Sequence, residues 1–320
     1  MNFVKNIIGE ELETFEKKFS DAVKSHTRLL DTIMKYIIKR KGKQLRPMFV
    51  FLSAKLHGEV NESTYRAAAL VELLHTATLV HDDVVDESLE RRGFFSINAI
   101  WKNKIAVLVG DYLLSKGLLL STSNNDFVHL HLLSEAVRQM SEGELLQLEK
   151  SRKLNLKEDI YFDIIRNKTA SLLSSACAVG AYSTSKDDAI TQKMKLFGEK
   201  AGIAFQIKDD LFDYGKEDIG KPTGNDIKEK KLTLPLIYTL NKIDAPKRRA
   251  LIYIIKNENR VPEKVKLVID TVVESGGIKY AEEKMKQYRD DALDILHEFP
   301  DGPVRKALEE LVRYTTDRKY

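Results

Sequence analysis

The chain contains few of the residues that mark secreted or membrane proteins. Its single cysteine, Cys177, permits no intramolecular disulfide, and we expect a buried thiol in a reducing compartment. The first residues reach Glu10 and Glu11 before any long apolar run, unlike a secretory signal. The longest uncharged stretch, residues 169–185, is shorter than the roughly 20 residues of a membrane span. The sequence therefore predicts a cytoplasmic protein without a transmembrane segment.

The chain also lacks a large excess of positive or of negative charge. The 52 Lys and Arg residues nearly balance the 48 Asp and Glu residues, and the remaining net charge of +4 is spread along the chain. Nucleic acid is bound mainly through clustered cations that neutralise phosphates. We therefore expect no nucleic-acid partner.

The chain also lacks the alternation of apolar and polar residues that is typical of strands, and its apolar residues recur at spacings of three and four, which is typical of helices. The polar segment 215–231, with Gly and Pro, is the main long connection and is either a flexible link or a functional flap. No internal repeat or low-complexity linker divides the chain, so residues 1–320 are predicted to form one all-α domain. The predicted helices span residues 3–19, 21–40, 44–57, 62–87, 94–101, 104–122, 126–150, 156–183, 187–213, 232–241, 246–255, 262–275, 277–298 and 303–316.

An acidic cluster ends one predicted helix, where Asp82, Asp83 and Asp86 form a D-D-x-x-D sequence. Residues four apart share a helix face, so the carboxylates of Asp82 and Asp86 lie together. Clustered carboxylates are costly without a cation, and oxygen ligands suit Mg²⁺. One such cluster alone is more often a solvated helix face. Its position at the end of an apolar helix nevertheless makes it a candidate metal site.

A second D-D-x-x-D sequence makes chance a poor explanation, and it consists of Asp209, Asp210 and Asp213. Helix ends that face each other across a bundle could hold several Mg²⁺ ions around one diphosphate. Cationic groups suited to phosphate accompany both motifs. They occur in the segment G-K-Q-L-R-P with Lys43 and Arg46, in the pair Arg91-Arg92, in Lys168-Thr169, and at Lys221 and Lys231. Together these groups predict a site for two diphosphates.

In these motifs the chain resembles the trans-isoprenyl diphosphate synthase family (polyprenyl synthetases), from about Lys39 to the C-terminus, and especially long-chain members such as octaprenyl and heptaprenyl diphosphate synthases. The resemblance implies a single-domain helical bundle around a deep central cavity, a homodimer, and about three Mg²⁺ ions per site with diphosphate bound. The implied enzyme is a prenyltransferase that joins isopentenyl diphosphate head-to-tail to an allylic diphosphate, such as geranyl or farnesyl diphosphate.

The resemblance also assigns roles to individual positions. For isopentenyl diphosphate it implies Lys43, Arg46, His75 and Arg92. For the allylic diphosphate it implies Arg91, Lys168, Thr169, Gln206, Lys221 and Lys231. For Mg²⁺ it implies Asp82, Asp83, Asp86, Asp209, Asp210 and Asp213, with direct contact favoured for Asp82, Asp86 and Asp209. The residues expected to be catalytic are Asp82, Asp83, Asp86, Lys168, Asp209, Asp210 and Lys221. For Asp226 it implies a supporting role that orients the metal shell or Lys231. Apart from the resemblance, His81, which lies next to Asp82, is expected to be structural.

Product length in this family depends on what blocks the apolar cavity below the first motif. Ala77 and Thr78, five and four residues before Asp82, are too small to act as a plug. We therefore expect a product longer than C20, in the C30–C40 range, which favours proximity to a membrane. The cavity floor is expected at Leu74, Leu114 or Leu118.

Three alternatives remain open from the sequence. A short-chain farnesyl or geranylgeranyl diphosphate synthase would share every motif. A terpene cyclase would not need the cations assigned to isopentenyl diphosphate. A non-catalytic partner subunit would be expected to lose aspartates, and both D-D-x-x-D motifs are intact.

Overall fold

The computed structural model describes residues 1–39, 42–91, 93–153, 157–215 and 224–317. The predicted all-α class is confirmed. In chain order the elements are α1 (Asn2–Ala22), α2 (Arg28–Lys39), α3 (Leu45–Lys55), α4 (Glu62–Val85), β1 (Glu90–Arg91), β2 (Phe94–Phe95), α5 (Ile97–Thr122), α6 (Phe127–Lys153), α7 (Glu158–Ile165), a π-helical turn (Arg166–Ala170), α8 (Ser171–Ser185), α9 (Asp188–Phe212), α10 (Asn225–Lys228), α11 (Leu234–Lys242), α12 (Ala245–Asn257), α13 (Pro262–Ser275), α14 (Gly277–His297) and α15 (Pro303–Asp317).

The contacts divide the chain into two compact units. The first comprises Met1–Val137, Ser175–Lys195 and Pro300–Leu308, and the second comprises Arg138–Ser174, Leu196–Phe299 and Glu309–Tyr320. Boundaries between the units fall inside α6, α8, α9 and α15. The single domain expected over residues 1–320 stays a prediction.

In the first unit, α4 and α5 form the central helix pair. A capping box at Asn61 starts α4, because the Asn61 side chain accepts the N–H groups of Ser63 and Thr64. Gly117 lets α5 approach α4 closely, since a Cβ at this position would lie 2.9 Å from Leu70 Cδ1. An apolar cluster that includes Leu73 of α4 and Leu113 of α5 fills the interface. The C-terminal end of α4, which carries the first aspartate motif, is thus held on a packed helix.

A short hairpin replaces the start of the helix predicted over residues 94–101. β1 pairs with β2 in an antiparallel register that sets Arg91 opposite Phe94, and Gly93 turns the chain with φ +75°. Two residues per strand are too few to give an alternating pattern, so the sequence carried no strand signal. The break expected between the helices 94–101 and 104–122 occurs within α5, where Lys102 has the non-helical values φ 73° and ψ 160°.

Among the described residues, α5 alone is long and apolar enough to cross a membrane by length and composition, and 33% of its apolar window is buried. It differs from the uncharged stretch 169–185, which is the longest run without charge in the sequence. Core helices of soluble proteins meet the same criterion. The prediction that the chain lacks a membrane span therefore stays a prediction.

In the second unit, an apolar core joins α7, α9 and α11–α14. Ile207 of α9, Leu236 of α11 and Val268 of α13 are fully buried within it. The helix predicted over 156–183 corresponds to α7, the π-helical turn and α8, which follow one another without a gap. A π turn admits one extra residue, and such turns occur often at functional sites. This turn carries Lys168 and Thr169.

Candidate functional site

The first aspartate motif occupies the last turn of α4 and its cap. Asp83 is buried, and Arg91 Nε donates to Asp83 Oδ1 at 2.7 Å. Burial raises the pKa of Asp83, and the Arg91 guanidinium opposes that rise. Asp86 is exposed and Asp82 is half-buried. Asp83 therefore bonds to the protein, whereas Asp86 faces solvent.

Asn98 and Ser96 attach the hairpin loop to the end of α4. Asn98 Nδ2 donates to the backbone oxygens of Asp83 and Ser88, both at 3.1 Å. The Ser96 hydroxyl donates to the Ser88 oxygen at 2.7 Å. The Asp83 carbonyl in the last turn of α4 also accepts the N–H of Ser88 at 2.9 Å, so these bonds tie the loop to the helix end. The loop that brings Arg91 to Asp83 is thereby fixed.

His81 packs closely against α5. A Cβ on Gly110 would lie 2.1 Å from His81 Nε2, so only glycine leaves room for the imidazole. His81 Nε2 also lies 3.2 Å from the backbone oxygen of Val107. His81 thus joins α4 to α5, and the structural role expected for it stays a prediction.

Two residues predicted to bind isopentenyl diphosphate lie together. Arg46 Nη1 of α3 is 2.9 Å from His75 Nε2 of α4. A guanidinium only donates, so His75 Nε2 is the acceptor and carries no proton in this contact. Lys43 is exposed just before α3, and Arg92 lies outside the described residues. Arg46 and His75 are thus in direct contact, and Lys43 lies just before the start of α3, the helix that carries Arg46.

The residues predicted to control chain length differ in environment. Ala77 is fully buried and Leu74 is 7% exposed, and both belong to α4. The Thr78 hydroxyl donates to the His75 backbone oxygen at 2.9 Å. Leu114 is half-buried against the cluster shared by α4 and α5, whereas Leu118 is 50% exposed. The role of all five stays a prediction, and Leu118 is the one that does not face the interior of its unit.

The second aspartate motif ends α9, and its middle residue is held by two donors. Tyr161 Oη donates to Asp210 Oδ2 at 2.7 Å, and Gln206 Nε2 donates to Asp210 Oδ1 at 2.8 Å. Burial, followed by the charge of Asp226, raises the pKa of Asp210 to about 7. Asp209 is exposed. As in the first motif, the middle aspartate bonds to the protein.

The last aspartate of this motif organises the chain that follows. Asp213 Oδ1 accepts the N–H of Asn225 at 2.8 Å, and Oδ2 accepts the N–H of Asp226 at 3.1 Å. Burial, and then the charge of Asp213, raises the pKa of Asp226 to about 6. Lys231 forms an ion pair with Glu229, and its backbone N–H donates to the Asp226 oxygen at 2.8 Å. Asp226 therefore lies close to Asp213, and its supporting role stays a prediction.

The π-helical turn lies close to α6 and α9. A Cβ on Gly143 of α6 would lie 2.9 Å from the Lys168 backbone nitrogen. A Cβ on Gly202 of α9 would lie 2.7 Å from the Ala170 Cα. Lys168 Nζ forms an ion pair with Glu144, and the Thr169 hydroxyl donates to Gln206 Oε1 at 2.8 Å. Thr169 and Gln206, both assigned to the allylic diphosphate, are thus in direct contact.

The carboxyl groups fit magnesium in their chemistry. Burial raises the pKa of Asp83, Asp210, Asp213 and Asp226, so each buried negative charge is costly and a bound cation would compensate it. Within the described ranges, no three His, Cys, Asp or Glu side chains form a ready-made metal cage. Mg²⁺ needs only one or two protein carboxylates and completes its shell with water and phosphate. The donor set therefore suits Mg²⁺ with a bound diphosphate.

Some site contacts could not have been found from the motifs. Tyr161 precedes Asp210 by 49 residues, and Asn98 follows the first motif without any marker. Glu144 forms an ion pair with Lys168, which lies 24 residues later in the chain. The only sequence feature that indicates a close contact there is the neighbouring Gly143. Lys221 lies outside the described residues. The sequence indicated the charged groups, but not the partners that hold them.

Comparison with known proteins gives a consistent relationship over nearly the whole chain. The model of the polyprenyl synthetase family matches residues 27–272. An all-trans-nonaprenyl-diphosphate synthase (geranyl-diphosphate specific) of Rhodobacter capsulatus is 33% identical over 97% of this chain and 96% of its own. A decaprenyl diphosphate synthase structure from Rhodobacter capsulatus has a TM-score of 0.93 and 34% identity, covering 98% of both chains. A geranylgeranyl pyrophosphate synthase structure from Bacteroides thetaiotaomicron has a TM-score of 0.85 and 39% identity, covering 99% of this chain and 98% of its own.

These relatives differ in the product named for them, but each is named a prenyl diphosphate or pyrophosphate synthase and matches this chain over nearly its full length. The resemblance inferred from the aspartate motifs is confirmed. The chain belongs to the polyprenyl synthetase family and is a prenyltransferase of the polyprenyl diphosphate synthase type.

Proposed function

We propose that this chain elongates an allylic diphosphate by repeated 1'-4 addition of isopentenyl diphosphate, with Mg²⁺ as cofactor. The observation that supports this most directly is the repeated aspartate motif. In each copy the middle residue, Asp83 or Asp210, bonds to protein donors. In each copy an outer residue, Asp86 or Asp209, is exposed. Exposed carboxylates on a fixed frame suit a cation that is shared with a diphosphate.

The protein side chains would act mainly by electrostatics. When bound, Mg²⁺ supplies positive charge that stabilises the departing diphosphate. Lys168 and Thr169 would contact the allylic diphosphate from the π-helical turn, and Arg46 with His75 would hold isopentenyl diphosphate. No protein nucleophile is required, because the double bond of isopentenyl diphosphate attacks the allylic carbon whose C–O bond to diphosphate breaks. The cation formed by this addition then loses a proton to the released diphosphate, which restores a double bond. Exclusion of water would protect the allylic cation.

For the product we propose a chain longer than C20, in the C30–C40 range. Ala77 offers only a methyl group five residues before Asp82, about 7.5 Å along the helix axis. The names nonaprenyl and decaprenyl among the relatives support a product longer than C20, and the names heptaprenyl and octaprenyl fall within the C30–C40 range. The second candidate is a C20 product, which is favoured by the 39% identity to the geranylgeranyl pyrophosphate synthase.

Product analysis tests both the activity and the length. The purified chain would be incubated with farnesyl diphosphate, labelled isopentenyl diphosphate and Mg²⁺, and the dephosphorylated products separated by chromatography. We expect products of C30 or longer. Elongation that stops at C20 would reject the long-chain proposal, and absence of any label in an allylic product would reject the activity.

The metal assignment has its own test in the aspartate variants. Asp82→Ala and Asp209→Ala should each lower incorporation by orders of magnitude, because each removes an oxygen expected to contact Mg²⁺ directly. The matched control is Asp294→Ala, an exposed aspartate on α14 outside both motifs. Near-normal turnover in the motif variants would refute the assignment.

We further propose a homodimer that covers α5. The apolar side chains Val107, Leu108, Leu118 and Leu119 on this helix are 41%, 56%, 50% and 61% exposed in the single chain. Contiguous exposed apolar surface is typical of an interface. Light scattering during size-exclusion chromatography should give twice the mass of the 36.5 kDa chain. A monomeric mass would contradict the proposal.

A further inference from the structure

The carboxylate of Asp210 is held from two helices. Tyr161 Oη of α7 donates to Oδ2 at 2.7 Å, while Gln206 Nε2 of α9 donates to Oδ1 at 2.8 Å. Tyr161 is 3% exposed and Asp210 is 7% exposed, so water competes little for either bond. Each carboxylate oxygen thus has its own protein donor, and rotation of the carboxylate would break both bonds.

We propose that Tyr161 is a positioning residue for the second aspartate motif, and that its hydroxyl fixes the carboxylate of Asp210 where the motif meets Mg²⁺ and diphosphate. This inference rests on the proposed function, because it gives Tyr161 a task in the same site. Partners of metal-binding carboxylates that lie one layer further out orient them and contribute to metal affinity.

The contact does more than join two helices. Gln206, which donates to Asp210, accepts from the Thr169 hydroxyl at 2.8 Å. Tyr161 is therefore one end of a chain of hydrogen bonds that passes through Asp210 and Gln206 to the π-helical turn. Without the Tyr161 hydroxyl, one oxygen of a buried carboxylate loses its donor, and Asp210 can turn away from Gln206. The loss would reach both the metal-binding aspartates and Thr169.

The phenol is the donor to the ionised carboxylate in this contact. A carboxylate accepts only, and a tyrosine hydroxyl remains protonated near neutral pH. Phenylalanine preserves the ring, which packs edge-on against Phe162 at a centroid distance of 5.4 Å, and removes only the hydroxyl. Tyr161→Phe is therefore a clean perturbation of the hydrogen bond.

The test measures metal dependence as well as activity. For Tyr161→Phe, the Mg²⁺ concentration that gives half-maximal turnover would be determined at saturating substrates. Mg²⁺-dependent binding of inorganic pyrophosphate would be measured in parallel by titration calorimetry. We expect both to weaken about tenfold or more, the usual effect of removing such a partner. Wild-type values in both measurements would overturn the proposal.

Tyr280→Phe is the matched control. Tyr280 Oη also donates to a carboxylate on α7, Glu158 Oε1 at 2.6 Å, but no motif residue takes part in that bond. This variant should keep the wild-type Mg²⁺ requirement. An equal weakening in Tyr280→Phe would mean that any lost bond on α7 has the same effect, and it would overturn the specific role of Tyr161.

A double-variant comparison covers the case in which Tyr161→Phe does not fold. The Asp210→Ala background has no buried carboxylate that could lose its donor, so Tyr161→Phe should cause no further loss of pyrophosphate binding. A further loss would show that Tyr161 acts by another route. If wild-type protein bound no pyrophosphate with Mg²⁺, the proposed function itself would fail. If the wild-type protein and Tyr161→Phe bound pyrophosphate equally well with Mg²⁺, the role of Tyr161 would be refuted and the proposed function would stand.

Discussion

The close approach of Gly143 to the π-helical turn makes Gly143→Ala an informative substitution. The added Cβ would lie 2.9 Å from the Lys168 backbone nitrogen and 2.9 Å from Asn167 Cβ, whereas ordinary contacts begin at 3.4 Å. The turn or α6 must therefore move by about half an ångström. Because a displacement of about 1 Å at a substrate-positioning group can cost 10²-fold in rate, we expect roughly a tenfold loss.

The loss should be found in kcat/KM for the allylic diphosphate, since Lys168 and Thr169 are the residues displaced. Steady-state kinetics with each substrate varied in turn would separate this effect from one on isopentenyl diphosphate. Overpacking should also lower the free energy of unfolding by about 1–3 kcal/mol, measured by urea denaturation.

Gly9→Ala provides the control. No heavy atom lies within 4 Å of a Cβ built at Gly9, which is also helical, so this variant should keep wild-type kinetics. Unchanged kcat/KM in Gly143→Ala would refute the reasoning, because it would mean that the position of the turn does not govern the allylic site. A loss confined to isopentenyl diphosphate would refute the assignment of Lys168 and Thr169.

Two further predictions concern product length and acid stability. Ala77→Phe should shorten the product formed from farnesyl diphosphate, because a ring would project into the expected cavity; chromatography showing unchanged length would remove Ala77 from the cavity wall. Burial lowers the pKa of His129 from 6.5 to about 4. The charge of Asp126 favours protonation of the imidazole, whereas the charges of Lys186 and Arg66 oppose it. Because the pKa of His129 is lower in the folded than in the unfolded state, its contribution to the free energy of unfolding is complete above about pH 6.5 and is lost as the pH falls toward 4. Urea unfolding should show a decrease of about 2 kcal/mol between pH 7.5 and pH 5, and an equal decrease in His129→Gln would contradict this.

The sequence predicted the helices that carry the motifs because their apolar spacing is long and regular. α4 was expected over residues 62–87 and spans Glu62–Val85. The helix expected over 187–213 corresponds to α9, Asp188–Phe212. Both D-D-x-x-D motifs could therefore be assigned to helix ends from the amino-acid sequence. Charge spacing and helix period were sufficient for that step.

Other features depend on contacts that no local pattern records. The hydrogen bond between Tyr161 and Asp210 joins residues on different helices, and the pair Arg91–Asp83 depends on a hairpin of only two residues per strand. The π turn inside the helix predicted over 156–183 was also missed, because it is a single turn within an otherwise helical pattern. In each case tertiary packing decided the local conformation.

The π-helical turn also has a consequence for insertions and deletions. Each residue of an α-helix rotates the chain by about 100°. Removing one residue from Arg166–Ala170 could restore a regular helix, but it would rotate everything on one side of the turn relative to the other. The small buried residues of α8, among them Ala176 and Ala178, would then leave the core if Lys168 kept its place. The segment should accept conservative exchanges far more readily than any change in its length.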